Sequence, residues 1–193
     1  VAQSTSRSLK TNTFEDIVAL VALIRPGPLG AGMHNEFTDR ATGRKDIEYL
    51  HKDLEEILSE TYGVILYQEQ VMQIAQKISG FELEEADELR KAMGKKIPKV
   101  MEKQREKFTI GATKNGYSEQ FAIELFDQIA YFAGYGFNKS HSVPYALLAY
   151  QTAYLKANHP AEYIAACLTA VKRDKDRTAI FLSEARNLGV KVS

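Results

Sequence analysis

The sequence lacks the features that mark secreted, disulfide-bonded and membrane-spanning proteins. Only one of its 193 residues is a cysteine, Cys167, so an internal disulfide framework is excluded. No apolar run approaches the roughly 20 residues that cross a bilayer. Residues 1–13 are polar and have no apolar signal core, so we expect neither a secretory nor a transit peptide. These absences predict a cytoplasmic protein with no membrane partner.

The chain also has no net charge. The 25 basic and 25 acidic residues give a formal charge of zero, which argues against a protein that coats nucleic acid through a general positive surface. The charges are unevenly placed, however. Residues 81–88 hold five acidic and no basic residues, whereas residues 90–107 hold eight basic and two acidic ones. A basic patch on a neutral chain suggests a defined anion site.

Residues that would support catalysis by a metal or a nucleophile are not apparent. The Asp-x-Asp sequence at Asp174 and Asp176 lies in a polar link with no apolar strand before it. We interpret it as a solvated loop with a helix cap at Asp176. The GxxxxGK[ST] phosphate-binding motif is absent. No zinc spacing links the four histidines, which are His34, His51, His141 and His159.

Apolar periodicity predicts an all-α fold. The proline- and glycine-rich segment 25–30 should stop the first helix, and Gly80 and Gly94 should end two others. Thr13 and Ser118 should each cap a helix, and Pro144 should lie in the first turn of another. No β-α-β alternation is present, so a parallel sheet is not expected. Besides the helix that Ser118 caps, the predicted helices cover about 14–24, 64–79, 83–93, 98–115, 142–157, 160–171 and 177–188.

The first segment with candidate site residues is 89–96, LRKAMGKK, called here the basic string. Its four cations surround a glycine at a predicted helix end. Arginine binds phosphate in a bidentate manner and lysine acts as a point charge, so the string could hold a polyphosphate. Alternatively, these residues only offset the preceding acidic run. The cations are Arg90, Lys91, Lys95 and Lys96.

The second segment is 134–142, GYGFNKSHS, called here the glycine loop. It delivers four polar residues to a helix start, where free backbone N–H groups bind anions. A plain capped helix start explains the same pattern equally well, and His141 alone would more often be a capping or packed residue. The four polar residues are Asn138, Lys139, Ser140 and His141.

Several strings, in order and at similar separations, resemble those of bacterial C-family replicative DNA polymerases, the DNA polymerase III alpha subunits. The resemblance covers roughly residues 14–192. It identifies the chain as the helical fingers domain of such a polymerase. The strings are IRPGPL (24–29), YGVILYQEQVM (62–72), the basic string, the glycine loop, YQTAYLKA (150–157) and HPAEY (159–163).

The resemblance implies that the parent enzyme is a DNA-directed DNA polymerase and that this chain forms its fingers. Arg90 and Lys91 would grip the triphosphate of the incoming dNTP, while Lys95 and Lys96 would support it or the nearby DNA backbone. The family often has two arginines where this chain has Arg90-Lys91, and lysine keeps the charge but loses the bidentate fork. The opposing wall of the nucleotide site would comprise Asn138, Lys139, Ser140 and His141.

The resemblance also implies which functions lie elsewhere. The Mg²⁺ ions of the parent would be held by palm aspartates absent from this chain, so the isolated chain should be inactive and bind no metal. Residues 1–13 would be a linker or junction, and 14–193 the fingers, with two helical subdomains at about 14–116 and 117–193. The implied partners are primer–template DNA, dNTP, the palm and thumb, and, through the parent chain, the replisome and sliding clamp.

Two other hypotheses fit the composition. The chain could be a helical module that binds nucleic acid non-specifically through the 90–107 patch, which predicts steep salt dependence and no effect of nucleotide. It could instead be a helical scaffold whose patch docks an acidic protein surface. That scaffold would bind a protein tightly and DNA negligibly.

Overall fold

The computed structural model describes residues 1–95 and 98–192. Regular structure in these residues is helical, apart from one isolated parallel bridge between Tyr67 and Phe137. The prediction of an all-α fold is therefore confirmed. The helices are α1 Ala2–Leu9, α2 Phe14–Leu23, α3 Pro26–Gly30, α4 Met33–Ala41, α5 Glu55–Leu58, α6 Gln68–Ser79, α7 Leu83–Lys95, α8 Pro98–Lys114, α9 Glu119–Ala133, α10 Lys139–Asn158, α11 Pro160–Val171 and α12 Lys175–Asn187, with 3-10 turns at Lys52–Leu54 and Ser59–Thr61.

The chain divides into two compact units, Val1–Val143 and a second unit that starts at Pro144. The two predicted subdomains that meet near residue 116, and the linker at 1–13, stay predictions. Within the first unit, α1 forms from residues 2–9 and packs against α2 and α4. Among the described residues, no helix combines the length and apolar character needed to cross a membrane.

The hydrophobic core of the first unit is built around α6. Its inward face, which includes Val71, Ile74 and Ile78, is at most 1% exposed and packs with residues of α7, α8 and α9. Helices α6 and α8 approach so closely that a Cβ atom at Gly111 would lie 2.2 Å from the Ser79 carbonyl oxygen. Glycine is therefore required where these helices cross.

The start of α6 differs from the prediction. We expected the helix to begin at Val64, but it begins at Gln68, and the preceding residues form no regular helix. Residues 64–67 are all buried, so their apolar side chains give no helical stripe with a solvent face. The Gln70 carboxamide accepts the Leu66 and Tyr67 N–H groups, both at 2.9 Å, which holds this segment outside the helix.

Three predicted helix boundaries near the candidate site are also corrected. The 25–30 segment does stop α2, at Leu23, but then starts the short helix α3 with Pro26 in its first turn. Helix α7 continues through Gly94 to Lys95, because glycine can stay in helical conformation near a helix end. Helix α10 begins at Lys139 rather than Ser142, which places Pro144 inside the helix.

Several predicted caps are confirmed. Thr13 caps α2 by accepting the Asp16 N–H at 3.1 Å, and Ser118 caps α9 by accepting the Phe121 N–H at 3.2 Å. Gly80 ends α6 in the left-handed conformation. In the second unit, the cap of α12 is Asp174 rather than Asp176, since the Asp174 carboxylate accepts the Arg177 N–H at 3.0 Å.

Candidate functional site

The glycine loop is hydrogen-bonded to the segment that leads into α6. The Phe137 N–H donates to the Leu66 carbonyl at 3.1 Å, and the Gln68 N–H donates to the Phe137 carbonyl at 3.0 Å. Burial is the main cause that raises the pKa of the enclosed Tyr67, with Glu60 and Glu69 adding to it. The YGVILYQEQVM string therefore fixes the backbone of the glycine loop, which leads into α10.

The side chain of Gln68 contacts both predicted site segments. Its Oε1 accepts a hydrogen bond from Nη1 of Arg90 at 3.3 Å. Its Nε2 donates to the Gly136 carbonyl at 3.4 Å. The basic string and the glycine loop thus meet on one carboxamide at the first turn of α6, through Arg90 and Gly136, which are 46 residues apart in sequence.

Glu69 lies at the N-terminus of α10. Both of its carboxylate oxygens accept the Lys139 N–H, each at 3.0 Å. Asn138 completes the helix start, because its Oδ1 accepts the His141 N–H at 2.8 Å. The acceptors at this helix start are therefore side chains of the protein itself, and the helix start is capped in the ordinary sense.

Two cations of the basic string, Arg90 and Lys91, are paired with the acidic residue one turn before them, Asp87. Arg90 donates from Nε to Oδ1 of Asp87 at 2.8 Å, and Nζ of Lys91 lies 2.6 Å from Oδ2 of Asp87. The Lys91 hydrogen bond, followed by that of Arg90, holds the pKa of the Asp87 carboxyl below its ordinary range. The side chain of Arg90 is 30% exposed and that of Lys91 is 60% exposed, so both pairs are reached by solvent.

The cation of the glycine loop is paired in the same manner. Nζ of Lys139 forms an ion pair with Glu60 and lies 5.4 Å from the centre of the Tyr67 ring. The pair is exposed, with 38% of the Lys139 side chain and 43% of the Glu60 side chain in solvent. Each of these two segments therefore presents a cation whose present partner is a carboxylate within reach of water.

Residues 1–116 match the model of the bacterial DNA polymerase III alpha subunit finger domain. The chain belongs to this family. Over 190 residues it is 50% identical to the DNA polymerase III subunit alpha of Mycobacterium tuberculosis. The identity is 52% over 191 residues for the subunit of Vibrio cholerae and 51% over 191 residues for that of Escherichia coli K12.

The likeness covers nearly all of this chain but a small part of its relatives. Each of these three alignments includes 96% of the finger-domain chain and 16% of the relative. The family predicted from the ordered strings is confirmed. The finger domain thus represents one segment of a much longer polymerase subunit.

The predicted site residues of the finger domain fall into three groups. Arg90, Asn138, Lys139 and His141 lie at or beside the start of α6 or α10, and the His141 ring packs 5.6 Å from that of Phe137. Lys91 is exposed on α7, and Ser140 is exposed on the first turn of α10. Lys95 ends α7, and Lys96 lies outside the described residues.

Sequence reasoning left three supporting residues of the finger domain out of the site: Arg25, Gln68 and Glu69. Arg25 donates from Nη2 to the Tyr135 carbonyl at 2.6 Å, and its guanidinium lies 4.4 Å from the Phe137 ring centre. Burial lowers the pKa of this guanidinium. All three belong to the strings that resemble the polymerase family, and this resemblance was the only sequence signal for them. Their contacts link segments that are distant in sequence, so the local pattern did not reveal them.

Close packing also fixes the glycine loop against α3. A Cβ atom at Gly27 would lie 2.5 Å from Cδ1 of Tyr135. The Tyr135 ring therefore occupies the space that glycine leaves open. The IRPGPL string thus supports the loop through both Arg25 and Gly27.

Several cations of the basic patch at 90–107 form ion pairs with carboxylates. Arg105 forms an ion pair with Asp127 at 2.6 Å, and Lys107 one with Glu85 at 2.5 Å. Arg90 and Lys91 are paired to Asp87, so four cations in the described part of the patch have carboxylate partners. These pairs are exposed and therefore weak, so they do not exclude the hypothesis of a non-specific nucleic-acid-binding module.

Metal-binding groups and cavities are the other features of the described residues that could mark a functional site. In the residues that the structure describes, no group of three or more His, Cys, Asp or Glu side chains could hold a metal ion. A cavity of about 530 Å³ lies between α4, residues 48–65 and α9, but none of the predicted site residues lines it.

Proposed function

We propose that this finger domain binds the triphosphate of the incoming dNTP, and contacts primer–template DNA, while the parent polymerase extends the primer. The observation that carries the proposal is the convergence of Arg90 and the glycine loop on the Gln68 carboxamide. A cation of α7 and the loop that leads into α10 are thereby held at the start of α6. The confirmed family supports the same role, since its relatives are DNA polymerase III alpha subunits.

The ion pairs of the site suit reversible binding of a polyanion. Exposed ion pairs contribute only about 0–1 kcal/mol, so Lys91 and Lys139 can leave their carboxylates at small cost. The Arg90 guanidinium has five N–H donors and can bind the polyanion while Asp87 still holds it. A triphosphate carries several negative charges and offers more acceptor oxygens than Asp87 or Glu60. Because Glu69 already takes the Lys139 N–H, we assign triphosphate binding to the side chains rather than to this helix end.

The chemistry of the transfer belongs to other parts of the parent enzyme. The described residues offer no carboxylate cluster, so we assign Mg²⁺ to palm residues outside this chain and derive no step through it. Phosphoryl transfer depends mainly on positioning and on neutralisation of charge, which is the contribution proposed for the fingers. The palm and thumb are then direct partners, the replisome and sliding clamp act through the parent chain, and the setting is the cytoplasm.

Lys139→Ala in the full-length polymerase should weaken apparent dNTP affinity about tenfold, because one charge-assisted contact to the triphosphate is lost. Single-turnover incorporation across a range of dNTP concentrations measures this change. Binding of primed DNA, measured separately, should stay within twofold of the parent enzyme. A loss confined to DNA binding would instead indicate a docking surface for the DNA backbone.

Lys77→Ala is the matched control for Lys139→Ala. Lys77 also pairs with one glutamate, Glu56, and 35% of its side chain is exposed, against 38% for Lys139. It lies in α6, away from the glycine loop, so its replacement should leave incorporation unchanged. Equal effects of the two variants would overturn the proposed role of Lys139.

A further inference from the structure

Gln68 contacts two segments of the candidate site, and its neighbours in the sequence give no indication of this. It is the first residue of α6, the helix that is anchored in the core by Val71, Ile74 and Ile78. The side chain is half-buried and contacts α7 and the glycine loop. A side chain on the best-anchored helix of the unit is suited to fix the position of neighbours.

The carboxamide uses its donor and its acceptor on different partners. Oε1 accepts from the Arg90 guanidinium, and Nε2 donates to the Gly136 carbonyl. Only a primary amide supplies both groups at this length, because a glutamate has no donor and a methionine lacks a strong donor or acceptor. Gln68 therefore joins a cation of α7 to the backbone of the glycine loop.

The Arg90 side chain needs this second support. Asp87 contacts the guanidinium from one side, at Nε and Nη2, while Gln68 takes Nη1. Arginine has five N–H donors, so the group retains donors for a ligand after these contacts are made. With Asp87 alone, the guanidinium would be held only by a residue of its own helix, three positions away.

We propose that Gln68 is a positioning residue, which holds the Arg90 guanidinium in register with the glycine loop so that both engage one triphosphate. This inference rests on the proposed function of the site. Its two hydrogen bonds, at 3.3 and 3.4 Å, are long and contribute little to folding. Their effect should therefore appear in nucleotide affinity and not in stability.

The test is a double-mutant cycle in the full-length polymerase, read by single-turnover incorporation. Gln68→Met retains the side-chain length and removes both hydrogen bonds, so apparent dNTP affinity should fall about fivefold. In an Arg90→Ala background the same change should cost less than twofold, because its effect runs through Arg90. Thermal unfolding and primed-DNA binding should not change.

Gln73→Met is the matched control, since Gln73 is an exposed glutamine of the same helix. If Gln68→Met behaves like Gln73→Met while Arg90→Ala weakens dNTP binding, Gln68 has no positioning role and the proposed function stands. A fivefold cost that persists in the Arg90→Ala background also overturns the inference, because Gln68 would act independently. If Arg90→Ala itself has no effect, the proposed function fails and this inference fails with it.

Discussion

Arg90→Ala in the full-length polymerase should slow nucleotide incorporation about 100-fold. The structure holds the Arg90 guanidinium through two side chains, Asp87 on its own helix and Gln68 on α6. A preorganised cation stabilises developing negative charge without reorganising, and deletion of a comparable oxyanion-hole donor costs about 2–4 kcal/mol. The measurement is the single-turnover rate at saturating and at limiting dNTP.

Arg105→Ala provides the control for this prediction. Arg105 is also a guanidinium paired with one aspartate, Asp127, but it lies on α8 and contacts neither Gln68 nor the glycine loop. Its replacement should leave incorporation within twofold of the parent enzyme. If both variants slow the reaction equally, general positive charge rather than a positioned guanidinium would be responsible.

Gln70→Met should destabilise the domain by about 3–4 kcal/mol. The Gln70 carboxamide is 1% exposed and makes four hydrogen bonds. It accepts the N–H groups of Leu66 and Tyr67, and it donates to the Ile57 carbonyl and to Thr61 Oγ1. Methionine has a similar volume but leaves the buried N–H groups of Leu66 and Tyr67 without their acceptor, and each such group costs about 1–3 kcal/mol.

Urea unfolding of the 193-residue chain, followed by helical circular dichroism, measures this loss. Gln76→Met is the matched control, because Gln76 is an exposed glutamine of the same helix and should change the free energy of unfolding by less than about 0.5 kcal/mol. A loss below about 1 kcal/mol for Gln70→Met would show that the 64–67 segment does not depend on this carboxamide.

The Gln70 network also explains why α6 could not be placed fully from sequence. Residues 64–67 are apolar and continue the hydrophobic pattern of the helix, so periodicity alone extends α6 back to Val64. A buried glutamine side chain instead takes the N–H groups of Leu66 and Tyr67. Periodicity detects burial, but it does not detect a side chain that competes for backbone hydrogen bonds.

Local chemistry predicted three caps correctly, although it misplaced the cap of α12 and the end of α7. Thr13, Ser118 and Gly80 act over three or four residues, and their roles as caps are confirmed. The start of α10 was placed three residues late, because its first turn is fixed by Glu69, 70 residues earlier in the chain. Contacts between distant segments leave no periodic trace in a single sequence.

In the candidate site, too, some residues could be predicted from the sequence and others could not. Charge pattern and family strings pointed to Arg90, Lys91 and the glycine loop, and these remain predictions about nucleotide binding. The supporting residues Gln68 and Glu69 have no distinctive charge pattern or spacing of their own. Their place between α7 and α10 emerged only from the fold.

The most direct test of the account is a structure of the full-length polymerase with primed DNA, a chain-terminated primer and the next dNTP. The account predicts triphosphate oxygens within hydrogen-bond distance of the Arg90 guanidinium and of Lys139 Nζ, with Gln68 still joined to Gly136. A triphosphate bound away from both cations, with Arg90 still held by Asp87 and Lys139 by Glu60, would contradict it.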